Sequence, residues 1–461
     1  MIKKGQLSRR GFLKKAGVLA SGAIGFPLFV PSSVLGKDGN VAASNRITVG
    51  FIGLGQHGTA VNLTNFISHD DVQVVALCDV NMGGLRGYHS FGHERGLEPA
   101  VRIVKQHYSA KNGSGTFDGV FATQDWREII ARDDLDAVVI STPDHWHIPI
   151  SLAAIRTGKD VYCEKPLTHT IQQGRILSDT VKRYNRVFQT GSGVRARSNY
   201  HRAAELVQNG RIGKVIRLET YLPPWTGPFP AEKYKETPIM PIPKGFDYDM
   251  WLGPAPWAPY TEGRCHWNFR WIFDYSGGML TDMGGHYADQ LQWANGTEYT
   301  GPVEVYGFGE FPTDGIYNTA MQFHVEYTYA DGSTAIVSSR YAKNGVRYEG
   351  SDGWITVGGG SGGGIDAYPK SILKSIIKPD ELHLYTSFAG PERNFIDCVQ
   401  SRHTPFYPAE VGHRTATVCH LGNISMLLGR KLKWDPEKEV FVNDAEANRM
   451  LSRPMRSPWC L

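Results

Sequence analysis

Apolar residues follow two different rhythms along this chain. The first begins at Ile47-Thr48-Val49-Gly50-Phe51-Ile52, a β-branched run of strand length. It is followed by Gly53-Leu54-Gly55-Gln56-His57-Gly58 and by a helical spacing of Ala60, Val61, Leu63, Phe66 and Ile67. Val72-Gln73-Val74-Val75-Ala76-Leu77-Cys78 reads as a second strand, closing on Asp79. The stretch from Asn81 to Phe121 is long for one connection, and its pattern predicts a helix around His93 to Tyr108 with a polar loop at Lys111 to Gly115. Alternation then resumes: a short helix at Trp126 to Arg132, a buried strand at Asp136 to Ile140, a helix from Ile148 to Thr157 and a strand at Asp160 to Cys163. Short apolar runs alternating with amphipathic helices predict an α/β domain with a doubly wound parallel sheet, whose ligands lie beyond the carboxyl ends of the strands.

The second rhythm has a period of two. Met321 to Tyr329, Ser333 to Ser339 and Trp354 to Val357 read as antiparallel strands, Val411 to Leu428 as a helix that packs back, and Lys431 to Leu461 as an irregular tail. The pattern predicts a C-terminal α+β domain with an open, mostly antiparallel sheet. The expected division is a leader and linker over 1–43, a dinucleotide-binding domain over 44–190, a substrate and oligomerisation domain over 191–430 and a tail over 431–461. Residues 221–260 hold ten of the 26 prolines together with Trp225, Phe229, Tyr234, Trp251 and Trp257, and read as an ordered aromatic excursion from the sheet. Gly358 to Gly364 lacks the G-K-[ST] ending of a nucleoside-triphosphate loop and reads as a mobile surface loop.

Charge changes the picture at one end. The formal net charge is +4, but the first 43 residues carry seven Lys or Arg against one acid, which leaves the body at −2. A nearly neutral body gives no reason to expect a nucleic-acid partner. Basic residues up to Lys15 precede an apolar stretch, Ala16 to Val30, that is too short to span a bilayer and reads as an export signal. Ser8-Arg9-Arg10-Gly11-Phe12-Leu13-Lys14 resembles the twin-arginine motif S-R-R-x-F-L-K. That resemblance implies export of folded protein by the twin-arginine translocase to the periplasm, with cleavage near Ala43 or Gly36. The six cysteines show neither C-x-x-C spacing nor a metal-finger pattern.

The glycine motif carries the first chemistry. It lies between a strand and a helix, and Asp79 closes the next strand 21 residues after Gly58, which satisfies the context a dinucleotide fingerprint needs. Gly53 permits the tight turn, Gly55 lets backbone approach a pyrophosphate, and Gly58 lets helix and strand pack closely. Asp79 is placed to accept from the adenosine ribose and would repel a 2′-phosphate, so NAD is expected in preference to NADP.

Two further clusters sit at predicted strand ends, Ser141-Thr142-Pro143-Asp144-His145-Trp146-His147 and Glu164-Lys165-Pro166. A third, Gly277 to Asp289, places Asp282 and His286 at i and i+4 on one helical face, with Asp289 following at i+3. A neighbouring carboxylate would raise the pKa of His286 and fix its tautomer, as acid/base work near neutrality requires. Taken alone, that face also reads as a solvated Asp/His surface. In combination, the fingerprint, S-T-P-D-H-x-H, E-K-P, G-x-I-G at Gly210 to Gly213 and G-G-x-x-x-D-x-x-x-H resemble the Gfo/Idh/MocA oxidoreductases over nearly the whole chain.

The resemblance implies a catalytic group of Lys165, Asp282 and His286. His286 is the expected base, Lys165 the donor to the developing oxyanion, and Asp282 the group that orients substrate. It also implies cofactor contacts from Gly53, Leu54, Gly55, Gln56, His57, Gly58, Asp79, Ser141, Thr142, His145, His147, Glu164 and Lys165. Pro166 holds either a strained or a cis turn. His145 and His147 could suggest a metal pair, but no third ligand stands nearby, and no metal is expected. Cys265-His266-Trp267-Asn268-Phe269-Arg270-Trp271 leads into the catalytic helix, and Arg270, His266 and Trp267 are the expected substrate contacts. Aromatic faces stack on sugar C–H surfaces while Arg, Asn and His bond hydroxyls, so a sugar, polyol or glycoside is the expected substrate; the same aromatics also suit a core or an interface. A tightly held NAD follows from export into a compartment poor in nucleotide, and a homo-oligomer, dimer or tetramer, from the open sheet. A glycosidase working by transient oxidation, elimination and re-reduction is the alternative reaction.

Overall fold

The computed structural model describes residues 41–84, 93–112, 116–223, 236–340, 345–358 and 363–461. The export segment, Trp225, Phe229, Tyr234 and the middle of the glycine run at 358–364 lie outside them. Residues 1–46 form a unit of their own, of which a 3₁₀ turn at Ala43–Asn45 is described, and residues 47–461 form the other. Among the described residues no helix is long and apolar enough to cross a membrane.

Six parallel strands build the first sheet of the larger unit: β1 (Ile47–Ile52), β2 (Val72–Cys78), β3 (Phe121–Thr123), β4 (Ala137–Ile140), β5 (Asp160–Glu164) and β6 (Phe188–Gly191). Their order, β3-β2-β1-β4-β5-β6, reverses direction between β1 and β4, where a doubly wound sheet opens its ligand crevice. Strands β4, β5 and β6 are buried along their whole length because helices cover both faces, which is why they read as continuous apolar runs. The covering helices include α1, a π-helical turn at Gly58–Leu63 continued as an α-helix at Thr64–Ile67, then α2 (Leu97–Asn112), α3 (Asp144–Arg156) and α4 (Ile171–Tyr184).

Two helices start away from their predicted positions. Helix α2 begins four residues after His93, behind Gly96, whose φ of +116° cannot continue a right-handed helix. Helix α3 begins four residues before Ile148, with Pro143 at its N-cap and Asp144 in the first turn, where a carboxylate faces the positive end of the dipole. The strand-end cluster therefore passes into helix from Asp144 onward.

After α5 (Ser198–Gln208), the second sheet comprises β7 (Val215–Tyr221), β8 (Glu304–Glu310), β9 (Gln322–Thr328), β10 (Thr334–Ser338), β11 (Gly345–Gly350), β12 (Gly353–Gly358), β13 (Ile365–Tyr368), β14 (Leu432–Asp435) and β15 (Val440–Phe441). The order is β13-β12-β11-β7-β10-β9-β8-β14-β15, antiparallel except where β7 meets β10. Alternation on β9 sends Phe323, Val325 and Tyr327 inward, while Tyr306 and Phe308 on β8 face outward. The inner face packs against α6 (Met279–Asp282), α7 (Gly284–Ala294) and α8 (Ala409–Leu428). The tail is not irregular: its apolar positions Leu432, Trp434 and Phe441 extend the sheet as β14 and β15, a helix follows at Ala445–Arg449, and Trp459 packs on Trp146 at 4.7 Å.

One ion pair fixes α7 against the loop after β6. Arg195 donates to both carboxylate oxygens of fully buried Asp289, at 2.8 and 2.6 Å, and to Glu298 at 2.5 Å. Its guanidinium lies 4.8 Å from the ring centre of Trp293 and 4.9 Å from that of Tyr407. Asp289 thus serves packing and not the face of His286. Removing one partner of a buried pair leaves the other charge uncompensated. Asp289→Asn should cost about 3 kcal/mol of stability, read as a lowered urea midpoint; a midpoint within error of the parent's would contradict this account of the anchor.

Candidate active site

The glycine loop shows three different constraints. Gly53 has φ +92°, and a Cβ there would meet the Ser141 carbonyl at 2.7 Å; a Cβ on Gly58 would fall 2.1 Å from the Gly53 oxygen. Around Gly55 nothing lies within 4 Å of the same point, so this position opens on free space at the head of α1. Packing demands glycine at the first and third positions, while the second leaves room for a phosphate to approach the backbone. Asp79 holds the loop in place by accepting from the Leu54 N–H at 2.5 Å and the Asn81 N–H at 2.7 Å. Burial pushes its carboxyl up to about 6, against the pull of those two N–H groups. Gln56 Oε1 accepts from Arg95 Nε at 2.8 Å.

Glu164, the last residue of β5, is tied back to this loop. Its Oε1 lies 3.1 Å from His57 Nε2 and accepts from Asn62 Nδ2 at 3.0 Å; Asn62 also donates to Ser141 Oγ at 2.8 Å. Burial would raise Glu164, but the His57 charge and the bonds from His57 and Asn62 bring it down to about 2. Asn62 escapes sequence reading because it stands among apolar neighbours on the first helix; a polar residue on that buried face was the available signal. Thr142 Oγ1 is buried at the end of β4 with no partner among the described residues.

His145 and His147, expected at the cofactor, are engaged by backbone carbonyls. Both are 1% exposed in the first turn of α3. His145 Nε2 donates to the Trp251 carbonyl at 3.1 Å. His147 has a carbonyl at each nitrogen, Pro166 O and Thr142 O, both at 2.9 Å. Two acceptors require two donors, which only the imidazolium offers. Burial opposes that charge, but Cys163, Asp144 and the Pro166 carbonyl favour it and push His147 up to about 10. The ring clamps the two strand ends together, and the Lys165–Pro166 bond between them is cis.

Lys165 follows β5 directly. Its ammonium donates to Asp282 Oδ1 at 2.7 Å and to the Asp282 carbonyl at 3.0 Å. Arg270 Nε reaches the same Oδ1 at 3.3 Å, its guanidinium 4.0 Å from the Trp267 ring centre. Burial opposes ionisation of Asp282, yet Lys165 and Arg270 hold its carboxyl well below the usual carboxylate range. The helix expected to carry Asp282 and His286 on one face is interrupted at Met283, between α6 and α7. Asp282 turns to Lys165, while His286 Nδ1 meets Ser192 Oγ at 2.8 Å, a partner that sequence reading missed because Ser192 follows β6, 94 residues away. The expected rise in the His286 pKa is reversed: burial and the Lys165 charge push it down to about 3, and Asp282 does not offset them. His266 opens the 3₁₀ segment His266–Trp271 that carries Arg270, with φ +55° and its ring stacked on Phe246.

The open position at Gly55, the unpartnered Thr142 hydroxyl and the Asp79 carboxylate fit a dinucleotide lying across β2, β1 and β4. His57, half exposed and raised chiefly by Glu164, should titrate above the ordinary 6.5. In Glu164→Gln, burial and the Lys165 and Arg270 charges remain, so the midpoint in an NMR titration should fall below 6.5. A midpoint that stays high would exclude Glu164 as its cause.

Comparison with known proteins agrees with this geometry. Residues 47–192 match the NAD-binding Rossmann-fold model of the Gfo/Idh/MocA oxidoreductase family, and residues 207–461 match that family's C-terminal alpha/beta domain. Similar solved structures include the aldose-aldose oxidoreductase of Caulobacter crescentus complexed with glycerol, at 19% identity and TM-score 0.60 over 84% of this chain and 99% of that one. The WlbA dehydrogenase of Bordetella pertussis, in complex with NADH and UDP-GlcNAcA, is similar at 15% identity and TM-score 0.60 over 85% and 99%. Curated relatives include a glycosyl hydrolase family 109 protein of Shewanella pealeana, 28% identical over 226 residues, and an alpha-N-acetylgalactosaminidase of Shewanella oneidensis, 26% identical over 224. Each of these matches spans 46% of this chain and 45% of the relative, less than half the length of either. With both of its domain models matched, the chain belongs to the Gfo/Idh/MocA oxidoreductase family and carries its NAD-binding Rossmann fold.

Proposed function

We propose that the protein oxidises a hydroxyl of a sugar, polyol or glycoside, with His286 taking the hydroxyl proton and Lys165 bonding the oxygen as it becomes negative. The convergence of Lys165, Asp282, Arg270 and His286 beyond the end of β5 carries this reading. NAD, when bound, supplies the hydride acceptor. Gly55 and Thr142 would hold it, and Asp79 would take the adenosine ribose and disfavour a 2′-phosphate.

His286 is held neutral, so its lone pair is available throughout the neutral range. In the tautomer whose Nδ1–H donates to Ser192 Oγ, Nε2 is the basic atom. Two of the three Lys165 ammonium protons go to Asp282, leaving one for the substrate oxygen. Lys165 is also a main cause of the low His286 pKa, so charge developing on that oxygen relieves the repulsion, and proton uptake becomes favourable as the oxyanion forms. Arg270 on Trp267 forms a charged, planar wall suited to hydroxyl groups.

The second reading keeps this chemistry and adds elimination: transient oxidation, loss of the aglycone and re-reduction. The names of the Shewanella relatives favour it. Export by the twin-arginine route to the periplasm, with NAD held tightly, and a dimer or tetramer formed through the outer sheet face where Tyr306 and Phe308 are exposed complete the proposal.

Protein purified without added nucleotide should release NAD on acid treatment; none released would end the resident-cofactor reading. Lys165→Ala and His286→Ala should each lower turnover about 10²- to 10⁴-fold with NAD still bound. Undiminished turnover in both variants would overturn the assignment. Sugars and aryl glycosides assayed together separate the reactions: net NADH marks oxidation, and aglycone release without net NADH marks the elimination route.

A further inference from the structure

Beside the site, a cavity of about 350 Å³ is lined by none of Lys165, Arg270, Asp282 or His286. Three buried histidines, His145, His169 and His420, stand at its inner end, and the segment around Arg449 and Arg453 forms its mouth. His169 Nε2 donates to the Phe273 carbonyl at 2.7 Å, and His420 Nε2 donates to the Thr168 carbonyl at 2.8 Å. Burial lowers the pKa of both rings, so each is neutral and its Nδ1 is an acceptor. Among the described residues neither Nδ1 has a donor, and Gln173 Oε1, on another lining residue, is also buried without one.

The mouth has the opposite need. Its lining holds two arginines, Arg449 and Arg453, against one carboxylate, Asp274. Arg453 donates to the Phe273 carbonyl at 2.6 Å and, among the described residues, makes no ion pair. A ligand that answers both ends carries hydroxyl donors inside and a carboxylate outside, on a body small enough for the volume. We infer that this cavity is a second ligand site, built for a polyhydroxy acid of monosaccharide size. A cation would suit the lone pairs but not the arginines, and a simple fatty acid would leave the lone pairs unanswered. The site goes beyond the proposed reaction and does not depend on it, although its walls include Thr170 and Gly277, which lie on the segments leading from Lys165 and into α6.

Calorimetric titration of the holoenzyme with gluconate tests this, with glucose and acetate as the hydroxyl-only and carboxylate-only arms. Gluconate should bind most tightly, and its affinity should fall at least tenfold in Arg453→Gln and in Leu427→Trp, two exposed positions at the cavity. It should be unchanged in Lys165→Ala. No measurable gluconate binding, equal binding of glucose or acetate, or loss in Lys165→Ala with retention in Arg453→Gln would overturn the inference, the last by assigning the binding to the active site.

Discussion

The contact between Lys165 and Asp282 joins the end of the parallel sheet to α6, the single turn that precedes α7 and His286. Both side chains are largely removed from water, at 14% and 9% exposure, so their attraction alone would not repay desolvation. Two additions make the arrangement tenable: Arg270 gives the Asp282 carboxylate a second cation, and the Asp282 carbonyl gives the Lys165 ammonium a second acceptor. The result is one carboxylate shared by two cations, a charge distribution that favours an anion arriving at the same place. Helix α7 sits close on both sides: a Cβ on Gly284 would lie 2.9 Å from the Cys419 sulfur, which demands glycine there, while Gly285 faces the Lys165 side chain at ordinary contact distance, 3.6 Å from where its Cβ would be.

Three histidines around this contact divide between two charge states for reasons visible in their neighbours. His57 is half exposed with a carboxylate at 3.1 Å, so the positive form gains more from Glu164 than it loses by burial. His286 is partly buried beside an ammonium, and desolvation together with that charge makes the neutral form win although Asp282 is near. His147 is more deeply buried, but Cys163, Asp144 and a carbonyl at each nitrogen reward the second proton. The residue type gives no guide here; the count of acceptors and cations within reach decides.

This explains what could be read from the sequence and what could not. The succession of strands and helices and the glycine turn follow from periodicity and motif spacing, which are local along the chain, whereas the grouping of Lys165, Asp282 and His286 is what the family resemblance implies. The burial of His145 and His147 was hidden because Pro143 starts α3 a turn early. The sign of the His286 shift was hidden because burial in the folded chain and Lys165, 121 residues away, outweigh Asp282, four residues away. Ser192, Asn62 and the Arg195–Asp289 anchor share that property: each pairs with a residue distant in sequence, and neither residue shows its partner.

The loops around the catalytic group pose a further physical problem. Segments such as Thr142–Pro143, Pro166–Thr170 and Trp271–Gly278 lie outside regular strands, so their buried carbonyls find no donor in a ladder. Histidine supplies several of those donors: His147 to Thr142 and Pro166, His169 to Phe273, His420 to Thr168, and His145 to Trp251. A lysine could reach such carbonyls, but it would bring an obligatory charge and a flexible stem, whereas a planar ring packed in the core fixes direction as well as distance. An apolar substitute would strand the carbonyl in the interior. Rigid positioning of Lys165 and Asp282 thus rests on imidazoles that need not touch a substrate.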